Sequence, residues 1–430
     1  MESPSSDASR PSLKLKPPLR IEVLIIIMKE EKRRAEEGIK VSRLAEFAPS
    51  LQEKMVERRR HLHQHPELSF QEHDTSRWVS ERLRELGVGV TEGVGGNGVV
   101  GRIKGAHPGP TVAFRADMDA LPIQDEKEVP YRSGVPEVMH ACGHDGHTTM
   151  LLGLAEILQG NLDEVRGEVV LLFQHAEEQT PGGAISMIED GCLEGVETIF
   201  GVHLWTPLPT GRVGVCSGPA MAATDRFEVE IVGEGGHGGF PHQTIDALVV
   251  AAKAIVDLQL VVSRYVDPLE PAVVSVGRLS AGSAFNIIAE RATFEGTVRT
   301  LSEEVRSLVE EKLERIVKGV CEGTGASYDL EYQRGYPSLV NHPAQTDVVR
   351  RAIEGSDRCT LVEMKPIMGG EDFAYYLQEV PGCFFFVGAG NEDKDAVYPH
   401  HHPKFDFDED ALSVGVEALL ATYLQYTAAN

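Results

Sequence analysis

The chain has 430 residues, 42% apolar and 6% aromatic, and 41 Lys and Arg against 66 Asp and Glu give a formal net charge of −25. That acidity repels nucleic-acid phosphates, and so few aromatics leave little stacking surface for single strands, while the apolar share suffices for packed cores. No apolar run approaches the roughly 20 residues that span a bilayer, so the expectation is a soluble, cytoplasmic globular protein.

Residues 1–20 hold five Ser and four Pro, and the short apolar run at 21–28 is interrupted by Glu22. Neither an uninterrupted signal core nor a cleavage site is present, so residues 1–40 read as a disordered leader, with Met28 as an alternative start. Helical spacing then begins at Leu51, Met55 and Leu62, and a second helix runs from Thr75 to Leu86, before the stop at Gly87. Strands at 99–103, 111–116, 168–173 and 198–202 alternate with helices at 148–158 and 184–189, the pattern of an α/β domain with a largely parallel sheet. From about Pro219 the order changes to strand 226–232, helix 245–262, strands 273–279 and 292–299, helix 303–320 and strand 327–332. That is the split-βαβ, ferredoxin-like order. The α/β pattern resumes with strand 384–387 and a terminal helix at 409–426. The expected organisation is a discontinuous catalytic domain (41–218 and 335–430) interrupted by an inserted dimerisation or lid domain (219–334). The stretch from Gly93 to Gly98 matches GxGxxG, but it precedes a strand rather than opening a helix, so it reads as a glycine turn.

The six cysteines are too sparse for a disulfide scaffold and form no CxxC pair, and all but Cys142 read as buried small hydrophobes. Strand 111–116 runs into Asp117-Met118-Asp119, strand 168–173 into His175-Ala176-Glu177-Glu178, and strand 198–202 into His203. Between the first two lies His140-Ala141-Cys142-Gly143-His144-Asp145-Gly146-His147. Ligands of open α/β sheets bind at the carboxyl ends of strands, so one rim receives carboxylates, imidazoles and a thiol. Such a donor set suits first-row metals, zinc above all. If the backbone bends at Glu177-Glu178, one carboxylate can hold a metal while the other moves protons. Metal-activated water is one reading; Cys142 as a nucleophile with His144 as base is another.

MHACGHDGHT, LLFQHAEEQTPGGA, GVHLW, GGHG, GTVRT, MGGEDF and YPHHHPKFDFDEDAL together resemble peptidase family M20, in its amidohydrolase branch of N-acyl-amino-acid hydrolases, hippurate hydrolases, thermostable carboxypeptidases and auxin-conjugate hydrolases. The resemblance implies a two-metal catalytic domain with an inserted dimerisation domain. It implies Cys142, His144, Glu178, His203 and His401 as metal ligands, with Cys142 bridging, and Glu177 as general base. His237, Asn286 and Arg299 resemble residues that steady the oxyanion and grip the substrate carboxylate. Other branches carry His where this chain has Arg115 and Asp where it has Cys142. Gly369-Gly370 would lie close to ligand, Glu371-Asp372 would cap a helix, and His61, His63, His65 and His73 read as surface or structural.

The resulting expectation is a homodimeric amidohydrolase with two divalent ions per subunit, zinc ahead of manganese or cobalt, that cleaves N-acyl-L-amino acids. A carboxypeptidase acting on short peptides and a non-catalytic dimeric binder of metal or amino acid are the alternatives.

Overall fold

Long apolar runs place their strands at the centre of one large sheet. The computed structural model describes residues 51–356 and 358–429, so the expected leader lies outside the described residues. Two helices, α1 (Gln52–Gln64) and α2 (His73–Glu85), precede the hairpin of β1 (Gly89–Val94) and β2 (Gly98–Lys104). Then come β3 (His107–Asp117), α3 (His144–Gln159), β4 (Arg166–Gln174), α4 (Ala184–Glu189), β5 (Thr198–Pro209), β6 (Arg212–Val215) and β7 (Gly218–Met221). The next stretch holds β8 (Ala223–Val232), β9 (Gly236–His237), α5 (Ala247–Leu260), β10 (Ala272–Ala281), β11 (Ile287–Ile288), β12 (Arg291–Thr300), α6 (Glu303–Thr324) and β13 (Ser327–Arg334). The chain closes with β14 (Leu339–Asn341), α7 (Pro343–Glu354), β15 (Thr360–Glu363), α8 (Phe373–Glu379), β16 (Gly382–Gly390) and α9 (Ala411–Ala429).

The large sheet has the order β1-β2-β4-β3-β5-β16-β6-β15. Its central strands β4, β3, β5 and β16 are mutually parallel, whereas β1 and β2 attach antiparallel on one side and β6 pairs antiparallel to β16 on the other. The apolar centre of β4, and β16 up to Ala389, are buried on both faces, as strands covered by helices must be. The glycine run after Val94 is the turn of the β1–β2 hairpin, with Val94 paired to Gly98.

The second sheet is antiparallel in the order β10-β12-β8-β13, with α5 and α6 packed on it, which is the split-βαβ arrangement. Asp246 caps α5 by accepting the N–H groups of Leu248 and Val249, and Ser302 caps α6 through Val305. Val305, Val309, Leu313 and Val317 recur every four residues and bury one face of α6 against Phe227, Val229 and Phe294.

A buried ionic network fixes the start of α3 from behind. Arg59, fully buried, donates from Nε to Asp145 (2.9 Å) and from Nη2 to Asp406 (2.6 Å). His63 lies between Asp145, 2.7 Å from Nδ1, and Asp125, 3.2 Å from Nε2, with Lys127 Nζ 2.8 Å from Nε2. Asp125 also accepts the backbone N–H groups of Lys127 and Ser133. Burial works against its ionisation, yet these partners hold its carboxyl down at about 2.

Two outcomes follow from this packing. A Cβ on Gly201, in β5, would lie 2.6 Å from Phe384 and 2.7 Å from Phe373. Gly201→Ala should lower the free energy of unfolding by about 1–3 kcal/mol, read as a lower urea midpoint at unchanged slope. Asp125 titrates lower in the folded chain than in the unfolded one, so its contribution is present above about pH 4 and lost as pH falls toward about 2. The stability gap between wild type and Asp125→Asn should narrow by about 2 kcal/mol from about pH 5 to about pH 2 in urea titrations.

Candidate active site

Three parallel strands deliver their ends to one rim. β3 ends at Asp117, which pairs with Gln174 at the end of β4. β5 runs past the expected end at Val202 to Pro209, because β16 pairs with it in parallel, from Ile199–Gly382 through His203–Phe386 to Trp205–Gly388. His203 is therefore a residue within the strand. After Gln174 the backbone turns sharply: Ala176 adopts φ 53°, a left-handed conformation that side chains rarely take, and the bend directs Glu177 and Glu178 to the same side as His144. Gly143 (φ 95°) makes the corner between Cys142 and the helix α3, which begins at His144, four residues before the expected start at 148. His401 has φ 65° and is tied by its N–H to the carbonyl of Ala141. Non-glycine backbone in the left-handed region thus occurs on two of the segments that meet here.

The five expected ligands and the expected base lie together. Donor atoms of Cys142, His144 and His203 fall within 4.8 Å of one another, as do those of Cys142, Glu178 and His401, and those of His144, Glu177 and Glu178. The first two sets share Cys142. Its Sγ is 3.4 Å from His203 Nε2, and Glu178 Oε1 is 3.3 Å from His401 Nε2. Of the three consecutive histidines it is His401 that faces Glu178, whereas His400 donates from Nε2 to the carbonyl of Leu204.

The rings are turned so that one nitrogen of each stays bare. His203 donates from Nδ1 to the Leu204 carbonyl (2.6 Å), leaving the lone pair of Nε2 toward Cys142. His144 donates from Nδ1 to Asp119, at both its carbonyl (2.9 Å) and Oδ1 (3.1 Å), so Nε2 faces Glu177 and Glu178. His147 accepts the N–H of Leu204 at Nε2 and donates from Nδ1 to Asp117 (2.6 Å), which ties it up as a brace. Such carboxylate and carbonyl partners fix the orientation of imidazole ligands.

The cluster carries more negative capacity than its own cations match. Burial first, and then Glu371, Glu178, Asp372 and Asp119, push Glu177 well above the usual carboxylate range. Burial, followed by Glu178 and Glu177, raises the Cys142 thiol far above its ordinary value. For His144 burial opposes protonation, but Asp117, Asp119 and Glu178 outweigh it and raise the ring to about 10. Glu178 Oε1 is buried, with His401 Nε2 at 3.3 Å as its neighbour and no well-formed hydrogen bond. A thiol, three imidazoles and a carboxylate oxygen turned toward one another are the chemistry of a divalent-cation site, and the residues fit one.

Several residues at this centre escaped sequence reasoning. Asp119 orients His144 and also accepts the backbone N–H of Glu178. Arg115, fully buried, donates to Asp117, to Gln174 and to Asp372, with Glu371 at 3.0 Å. Asp372 accordingly spends its carboxylate on Arg115, Gln174 and the N–H of Ala184 rather than on capping its own helix; Glu371 does accept the N–H of Phe373. Tyr336 donates its hydroxyl to the carbonyl of Glu177 at 2.6 Å. The only advance signal for Asp119 was its place after β3.

The three residues expected to touch substrate do not join this cluster. His237 and Asn286 are exposed on paired segments beside the small sheet, where Gly238 donates to the Asn286 carbonyl. Arg299, half-buried on β12, donates to Thr297 and to the carbonyl of Val298. Gly370 makes its close approach to protein: a Cβ there would lie 2.2 Å from Thr224. His61 stacks on Trp78, and His65 and His73 make local contacts. His63 is core.

Comparison with known proteins agrees with this geometry. Residues 113–425 match peptidase family M20/M25/M40. The N-acyl-L-amino acid amidohydrolase of Geobacillus stearothermophilus is 51% identical over 284 residues, 66% of this chain and 77% of that protein. Thermostable carboxypeptidase 1 of Saccharolobus solfataricus is 42% identical over 386 residues, 89% of this chain and 98% of that one. The crystal structure of the Bacillus subtilis YXEP protein, described as a dinuclear metal binding peptidase, aligns with TM-score 0.78 and 36% identity over 88% of this chain and 99% of that one. The chain belongs to peptidase family M20/M25/M40 and is a hydrolytic enzyme of its amidohydrolase group.

Proposed function

We propose that the enzyme hydrolyses the amide bond of N-acyl-L-amino acids, releasing a carboxylate and a free amino acid. The observation that carries this reading is the pair of donor sets, Cys142–His144–His203 and Cys142–Glu178–His401, that share one thiol and stand beside Glu177, which neither uses. Two divalent ions held there, with zinc favoured by the thiolate, would polarise the scissile carbonyl and make water more acidic. Glu177 takes the proton of the attacking water as a C–O bond forms at the carbonyl carbon. It then gives that proton to the amine nitrogen as the C–N bond breaks. Tyr336 steadies the Glu177 backbone from behind. Cys142 as nucleophile is disfavoured, because burial and three surrounding carboxylates oppose formation of the free thiolate.

Arg299 offers a guanidinium suited to the substrate's α-carboxylate, a role to which Asn286 would contribute an amide. His237, exposed next to Phe240, donates to the carbonyl oxygen in the active site of a second copy. The small lobe supports such a homodimer by exposing Phe240, Leu248, Val249, Phe285 and Ile287. A short-peptide carboxypeptidase is the second reading, favoured by the likeness to the Saccharolobus enzyme; N-acetyl, N-benzoyl and dipeptide substrates assayed with Zn²⁺, Mn²⁺ or Co²⁺ separate the two.

Glu177→Gln keeps the shape of the base without its proton affinity. Its kcat should fall at least about 100-fold with metal content unchanged; a variant keeping a tenth of wild-type kcat overturns the assignment. Cys142→Ser should lose bound Zn²⁺ and activity together, measured by metal analysis after dialysis. Two equivalents held at wild-type affinity would remove the thiol from the site.

A further inference from the structure

The link between α1 and α2 carries two side chains that reach the site from outside. The Glu67 carbonyl accepts the N–H of Ala120, and Leu68 forms a parallel bridge with Ala120, so this link is bound to the segment that follows β3. Ser69, buried, donates its hydroxyl to Asp119 Oδ2 at 2.7 Å. That same oxygen accepts the N–H of Glu178, while Oδ1 receives His144. Glu72, with no exposed surface, accepts the N–H of Ala176 at 2.7 Å and that of Phe70 at 3.1 Å on Oε1, and the Asn97 amide on Oε2. Ala176 is the left-handed residue at which the chain bends toward Glu177 and Glu178.

We propose that residues 67–72 form a clamp in which Ser69 and Glu72 are positioning residues for Glu177, Glu178 and His144. Neither touches substrate. Ser69 holds the carboxylate that orients the His144 ring and the Glu178 backbone, and Glu72 holds the bend that aims both glutamates. An αL conformation at alanine is strained by about 1 kcal/mol or more and persists only where its surroundings impose it. The buried Ala176 N–H has its partner in Glu72, so removing that acceptor releases the bend and orphans a donor. Burial, with Asp119 adding to it, raises the Glu72 carboxyl to about 7, and either protonation state offers Oε1 to the same two N–H groups. A glutamine does as well.

The clamp rests on the roles given to Glu177 and Glu178 above, and its test includes a measurement independent of turnover. Purified wild type, Glu72→Ala, Glu72→Gln and Ser69→Ala are loaded with Zn²⁺, and loss of the ion to a chelator is followed in time beside kcat and KM on an N-acetyl amino acid. Glu72→Ala should release Zn²⁺ at least about tenfold faster and lose about tenfold in kcat, with KM within about twofold. Glu72→Gln should stay within about threefold of wild type in both. Wild-type retention of Zn²⁺ and wild-type kcat in folded Glu72→Ala, or an equal loss in Glu72→Gln, overturns the clamp. Should Glu72→Ala not fold, Ser69→Ala decides: faster Zn²⁺ loss upholds the clamp and wild-type retention refutes it. Zn²⁺ release tests the clamp and Glu177→Gln tests the base, so either idea can fail without the other.

Discussion

Arg115 is a fully buried cation whose guanidinium binds Asp117 and Asp372 and has Glu371 at 3.0 Å, while its Nε holds Gln174. These partners lie at the ends of β3 and β4 and in the turn before α8, so one side chain ties together segments that the chain order keeps far apart. Charges taken out of water in this way stabilise little in themselves, but removing one member costs about 3–5 kcal/mol because the others are left uncompensated. Everything at the rim is built outward from that point. Asp117 can brace His147 because Arg115 shares its charge, and Glu177 stands next to an acidic pair already held by a cation.

A second constraint is conformational. The site needs Cys142 and His144 on one corner and two successive glutamates turned the same way, and neither demand is met by regular strand or helix. Gly143 meets the first with a residue that has no Cβ to clash. Ala176 meets the second, and His401 is brought toward Glu178, with residues that resist the left-handed region, and hydrogen bonds of their N–H groups to Glu72 and to Ala141 hold them there. Strain at a functional site supported by its surroundings is a common arrangement.

Much of this was legible in the sequence. The buried strands, the split-βαβ order and the donors after each strand follow from periodicity and from which residue comes next, which are local facts. Cys142, His144, Glu177, Glu178, His203 and His401 were singled out that way together with the family resemblance, and the structure brings their donor atoms together. The length of β5 was not legible, because its second half is carried by β16, far along the chain. Nor were Arg115, Asp119, Ser69 and Glu72: their roles lie in partners up to 257 residues away, as for Arg115 with Asp372, and no spacing rule reaches so far. Asp372 looked like a helix cap for the same reason, since its local position is that of a cap and its partners are remote.

The chain enters the small sheet near Thr224 and leaves it near Tyr336, and these two crossings are hydrogen-bonded side by side: Thr224 N–H to the Tyr336 carbonyl and Gly335 N–H to the Thr224 carbonyl. Asp225 and Arg306 lock the same place with a buried ion pair, and Gly370 presses against Thr224. Tyr336, the last residue of this neck, is the one whose hydroxyl holds the Glu177 carbonyl. One residue thus belongs both to the neck and to the support of the Glu177 backbone. The segment that carries the two glutamates is therefore anchored to the place where the chain passes between its two sheets, as well as to its own strand.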